Sequence, residues 1–126
     1  FNTTTVVTFP FETFDRGGMH DASVNTGRLT ILRSGTYLIL GRVTWDSSAG
    51  GTYRELVLYK NGVTLLDVSD TVPSSAFAPS QAIASAQSLV AGDYIDLRVF
   101  QDFNSTDRTI QNVTAAARFS AVWVST

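Results

Sequence analysis

The chain carries one histidine, no cysteine and eleven acidic side chains in 126 residues, so few of its groups can do chemistry. His20-Asp21 follows the glycine pair Gly17-Gly18, with Asp15 close by. One imidazole cannot make a zinc site, which takes three or four protein ligands. Three copies around a threefold axis could supply three. The plainer expectation for His20 is a solvated loop residue. Asp102 and Asp107 flank a polar tip and could take calcium through carboxylate and carbonyl oxygens. No spaced string of acidic ligands accompanies them, which favours ordinary turn residues. The expectation is therefore no cofactor, with calcium at that tip the one exception. Ser23 lies near His20, but no Gly-x-Ser-x-Gly elbow surrounds it. A carboxylate pair for glycoside hydrolysis could be drawn only from Glu12, Asp46, Glu55 and Asp96, and Glu55 and Asp96 read as water-facing positions on strands. No glycine-rich loop joins a strand to a helix, so phosphate cradling is unsupported. No catalytic residue is assigned, and the chain reads as a non-enzyme.

The elements that would position these groups are strands. Asn25-Thr26-Gly27, Ser34-Gly35, Gly50-Gly51 and Asn61-Gly62 break residues 25–61 into three short runs with no room for a helix. Residues 37–46 form the best strand. Tyr37, Ile39, Gly41, Val43 and Trp45 share one face; Leu38, Leu40, Arg42, Thr44 and Asp46 share the other. The second face passes from apolar to polar, as expected of a strand covered at one end and wet at the other. Residues 53–60 and 63–68 pair across Asn61-Gly62, the strongest short-range hairpin signal. Further strands are expected at 6–11, with Pro10 marking an edge or end, and at 28–32, 94–101 and 115–125. Residues 80–92 remain open. Ser80 as N-cap, internal alanines and Gly92 suit a helix, while alternating Ile83, Ser85, Gln87 and Leu89 suit a strand. The length fits a single domain spanning residues 1–126.

Composition narrows the partners. Charged residues make up 16% of the chain, against roughly 25% in ordinary domains. Twenty-nine Ser and Thr residues occupy that space. Net charge is −2 and Lys60 is the sole lysine, so direct nucleic-acid binding and a polybasic membrane patch are not expected. No apolar run approaches the ~20 residues of a membrane helix. The Asn2, Asn104 and Asn112 sequons are what chance delivers in so hydroxyl-rich a chain. Phe1 is not an initiator Met, so the sequence is read as cut from something longer.

Taken in order, several short motifs resemble one family. Phe14-Asp15 and Gly18, Asn25-Thr26-Gly27 before Leu29, Ser34-Gly35-Thr36-Tyr37, Leu58-Tyr59-Lys60-Asn61-Gly62, Leu89 with Gly92-Asp93-Tyr94, and Phe119-Ser120 stand at near-family spacing. Together they resemble the globular head of the q subunit of the first complement component, among the tumour-necrosis-factor-like jelly rolls. Ala121 and Val122 stand where that family carries glycine and an aromatic, and cysteine is absent. Those departures point to a bacterial or bacteriophage relative, which implies that residues 1–126 are the C-terminal head of a longer fibre or spike protein. The resemblance implies an all-β, ten-stranded antiparallel sandwich closing as a homotrimer, and it makes 80–90 a strand. Candidates for the trimer interface are then Phe9, Phe11, Tyr37, Tyr59, Phe100, Phe119 and Trp123.

The loops at 46–52, 70–80 and 102–111 are long, polar and rich in Gly, Ser and Asn. Loops displayed on a rigid sheet are where binding residues usually sit. Asp46, Tyr53, Phe77, Phe103, Asn104 and Asp107 are the candidate ligand contacts. The leading expectation is a trimeric binding head on a phage or bacterial surface fibre. It would lie outside the cell or on the virion surface, without membrane insertion, and take a host-surface glycan or protein or another virion protein. The alternatives are a purely structural virion decoration and a monomeric carbohydrate-binding jelly roll.

Overall fold

The structure, a computed structural model, describes residues 2–103, 110–111 and 116–126. Among them run eight strands and no helix: β1 (Thr5–Val6), β2 (Arg28–Thr30), β3 (Gly35–Thr44), β4 (Arg54–Lys60), β5 (Thr64–Thr71), β6 (Ser80–Leu89), β7 (Tyr94–Gln101) and β8 (Ala117–Ser125). All pairing is antiparallel. One sheet has the order β1-β7-β4-β5, with β2 sharing the β1 edge of β7; the other has the order β6-β3-β8. The two stack as a sandwich. Inward residues of both sheets, among them Ile39, Val43, Leu56, Leu58, Ile83 and Leu97, form its single core.

Local chemistry explains the joints. Asn61 and Gly62 both have positive φ, 53° and 77°, as a two-residue hairpin turn requires. The Asn61 amide then donates to Asp93 Oδ1 at 2.8 Å, and its carbonyl oxygen accepts the Tyr94 N–H at 2.9 Å. Two motifs 32 residues apart in the chain are thereby tied side by side. At Gly35 a Cβ would stand 2.4 Å from both the Ser125 carbonyl and Trp123 Nε1, so only glycine lets the end of β8 close on β3.

Three expectations need correction. The strand expected at 6–11 shrinks to Thr5–Val6, because the chain leaves β7 after Val7 N–H bonds Leu97 O and then bonds Thr26 O through Phe9 N–H. Eight strands stand among the described residues where ten were expected. Asp96 is on the outward face of β7, but it is almost fully buried because Arg98 lies over it with Nε 2.8 Å from Oδ1. Residues 80–89 are a strand throughout, paired with β3 from Thr44↔Ser80 to Gly35↔Leu89.

Candidate functional site

Three features of the sandwich can meet another molecule, and each is built by a different part of the chain.

The first is the end at which the long loops gather. Ser48 bridges to Ser74, joining the loop after β3 to the loop after β5. Asp102 accepts the Thr52 and Tyr53 N–H groups at 2.7 and 3.1 Å, joining the loop after β7 to the same place. Although desolvation opposes the charge, these backbone donors hold the Asp102 carboxyl below its ordinary range. The Phe103 ring lies against Gly50, where a Cβ would come within 2.4 Å of it. Beneath them Arg54, fully buried, donates to the Ser48 carbonyl at 3.0 Å and stacks over Trp45. Three loops far apart in sequence thus form one braced apex. Of the candidate contacts, Phe77 stands free at 62% exposed. Asp46 is half-buried and accepts the Ser48 hydroxyl. Tyr53 pairs with Phe100 at 5.6 Å between ring centroids, and Phe103 folds back onto the apex. Asn104 and Asp107 lie outside the described residues, so the calcium candidate is represented there by Asp102 alone, and its Oδ1 is engaged by backbone.

The second feature is the outer face of the three-stranded sheet. Leu38 and Leu40 point away from the core at 40% and 43% exposed. In register they are flanked by Ala86 and Ala84 on β6 and by Val122 and Ser120 on β8. Val122 and Val124 are also exposed. At one end Arg42 faces Arg118 directly across the ladder, an unfavourable pairing of like charges. The result is a flat apolar field with a cationic margin. Sequence reading put Leu38 and Leu40 on the second face of β3 and named seven aromatics as interface candidates. The structure places Tyr37 in the core, with its hydroxyl donating to Arg33 O at 2.6 Å. Tyr59 lies under Arg98 and Phe100 beside Tyr53, both on the other sheet. Phe9, Phe119 and Trp123 are half-buried at the β8 edge, with the Phe9 and Phe119 rings 5.8 Å apart, and Phe11 is almost fully exposed.

The third feature is a groove of about 950 Å³ between β8 and residues 9–20. Phe9, Met19, Phe119 and Trp123 give it apolar walls, and Glu12 and His20 stand at its polar end. Among the described residues β8 pairs with β3 alone, so its other edge has no backbone partner. His20 is not the solvated residue expected. Its ring is largely buried, with Nδ1 2.9 Å from Glu12 Oε1 and Nε2 3.0 Å from the Thr26 carbonyl. Burial works against its charge, but the Thr26 carbonyl and then Glu12 outweigh it and raise the pKa above the ordinary value. Asp15 accepts the His20 backbone N–H at 2.8 Å, and its charge also favours the protonated ring. Among the described residues no three His, Asp or Glu side chains converge as metal ligands. Glu55 and Asp70 sit opposite each other on β4 and β5; burial and then that neighbour raise the Glu55 pKa.

No protein-family model matches the chain. No curated protein matches it either. A solved structure, that of murine APRIL at pH 5.0, a member of the tumour-necrosis-factor family, aligns with a TM-score of 0.75 over 96% of this chain and 88% of the other. Sequence identity is 15%, so the likeness shows the fold alone: a tumour-necrosis-factor-like jelly-roll sandwich.

Proposed function

We propose that the chain is a non-enzymatic head that closes as a homotrimer on the outer face of the β6-β3-β8 sheet and recognises its target through the braced apex. The bare apolar field around Leu38 and Leu40 carries this reading. Soluble monomers rarely leave such a face uncovered. Hiding what remains exposed of Leu38, Leu40, Val122 and Val124 contributes on the order of 1 kcal/mol each. A carboxylate from the covering copy would also relieve the Arg42–Arg118 repulsion. The resemblance to complement-type heads favours display on a phage or bacterial fibre, outside the cell or on the virion surface. There the partner is a host-surface glycan or protein, and three modest sites on one rigid body gain by avidity.

Sedimentation at micromolar concentration tests the assembly. The wild type should run as a trimer and Leu40→Glu as a folded monomer; a wild-type monomer overturns the proposal. Binding to host cells or a glycan array tests the apex. Phe77→Ala should weaken binding about tenfold, the scale of losing one exposed aromatic anchor, while leaving the trimer intact. A trimer with no ligand in such screens would instead make the head a structural decoration.

A further inference from the structure

The stretch at 10–14 is held to the rest of the molecule in an unusual way. Phe9 anchors one end through its N–H to Thr26 O and its ring on Phe119. Met19 anchors the other by accepting the Thr30 N–H at 2.7 Å. Between them, among the described residues, the one hydrogen bond made by residues 10–14 is the one Glu12 accepts from the His20 ring. Phe11 and Phe14, at 88% and 78% exposed, add little packing. This stretch is one wall of the groove, and the edge strand β8 with Trp123 is the opposite wall.

Both partners of the His20 ring are acceptors: a carboxylate at Nδ1 and a carbonyl at Nε2. Only the imidazolium, a donor at both nitrogens, satisfies both at once. Either neutral tautomer leaves a lone pair facing an oxygen. Glu12, about one-third exposed, is the partner free to move away. The groups acting on the ring by charge are Glu12 and Asp15. Asp21 also feels it, but its oxygen is occupied by the Ser23 hydroxyl and backbone. Arg16, Arg33 and Arg118 line the same groove, and the Arg33 guanidinium is stacked on the Trp123 ring.

We propose that residues 10–14 form a flap that doubly protonated His20 holds shut beside β8, and that loss of one ring proton to solvent releases it and opens the groove. The inference stands independently of the trimer and its target. Its direction follows from the chemistry. A group whose pKa is raised on folding stabilises below its unfolded pKa of about 6.5 and loses that contribution as pH rises through the folded value. The flap is therefore closed in acid and open in mild alkali.

The chain's single histidine gives one unambiguous imidazole signal. NMR titration should place His20 above the free-imidazole value in the wild type and lower in Glu12→Gln. Acrylamide quenching of tryptophan fluorescence reads the groove, since Trp45 is buried and Trp123 lines the wall. The quenching constant should rise about twofold between pH 5 and 9, with its midpoint at the His20 titration. In Glu12→Ala, which leaves no side-chain partner at Nδ1, it should already be high at pH 5.5. The same step should persist in Leu40→Glu, which separates flap opening from dissociation. Quenching that stays flat through the His20 titration, follows the wild-type course in Glu12→Ala, or loses its step in Leu40→Glu overturns the proposal.

Discussion

Gln81 ties the two sheets together from a single buried side chain. From β6 it accepts the Trp45 indole N–H at 2.8 Å and donates to the Arg54 carbonyl at 3.2 Å and the Ser69 carbonyl at 2.5 Å. One amide thus serves Trp45 just past β3, and also β4 and β5, inside a buried site. Gln81→Ala removes these bonds and strips the buried indole N–H of its Gln81 acceptor, at about 1–3 kcal/mol for such a donor left unpaired. A total loss of about 3 kcal/mol in urea melts is expected, and a loss below 1 kcal/mol would mean water replaces the amide. Nothing in the sequence announces this role. Gln81 stands among alanines and serines, where its type looks like surface. Asp96 misleads in the same way: alternation places it outward correctly, but cannot foresee that Arg98 folds over it at 2.8 Å. His20 was legible as an ionisable group beside carboxylates. Its partners were not, because Thr26 supplies only a backbone oxygen.

Element by element, turns were the most readable part. Asn61-Gly62 names its own geometry, since both residues need positive φ. Gly92 with Asp93 likewise marks the entry to β7, where Asp93 Oδ2 accepts the Val90 N–H at 3.0 Å. The Asn61 amide and then that backbone bond hold the Asp93 carboxyl low. Residues 80–92 were not readable from local signals, because alanines are good helix formers and poor strand formers. Ten register pairs with β3 override that preference and leave the alanines on the outside. Gly41 shows the opposite constraint inside β3. A Cβ there would stand 2.8 Å from both Leu97 methyl carbons of the facing sheet. Gly41→Val should therefore cost about 1–3 kcal/mol by overpacking, visible as a lower urea midpoint at unchanged slope. A neutral result would mean Leu97 has room to turn aside.

For the molecule as a whole, the sandwich separates its duties by surface. The apex carries the loops, the β6-β3-β8 face carries the apolar field, and the β8 flank carries the groove. Sequence patterning showed that β3 has two apolar faces near its start. It could not say which face meets the opposing sheet, since Tyr37 and Leu38 are equally plausible as core until β6 and β8 flank them. Because Leu40 is a surface residue within the protomer, Leu40→Glu should change protomer stability by about 0.5 kcal/mol or less. Its effect should appear in association instead. Folding that fails outright in this variant would mean that the protomer does not exist apart from the assembly.

The edge of β8 that no described residue pairs has a cost as well as a use. Its nine residues carry one charge, Arg118, and no proline or lysine, the usual deterrents against adventitious pairing. Concentrated solutions of this protein would be expected to grow cross-linked ribbons or gels through that rim whenever the neighbouring segment swings aside.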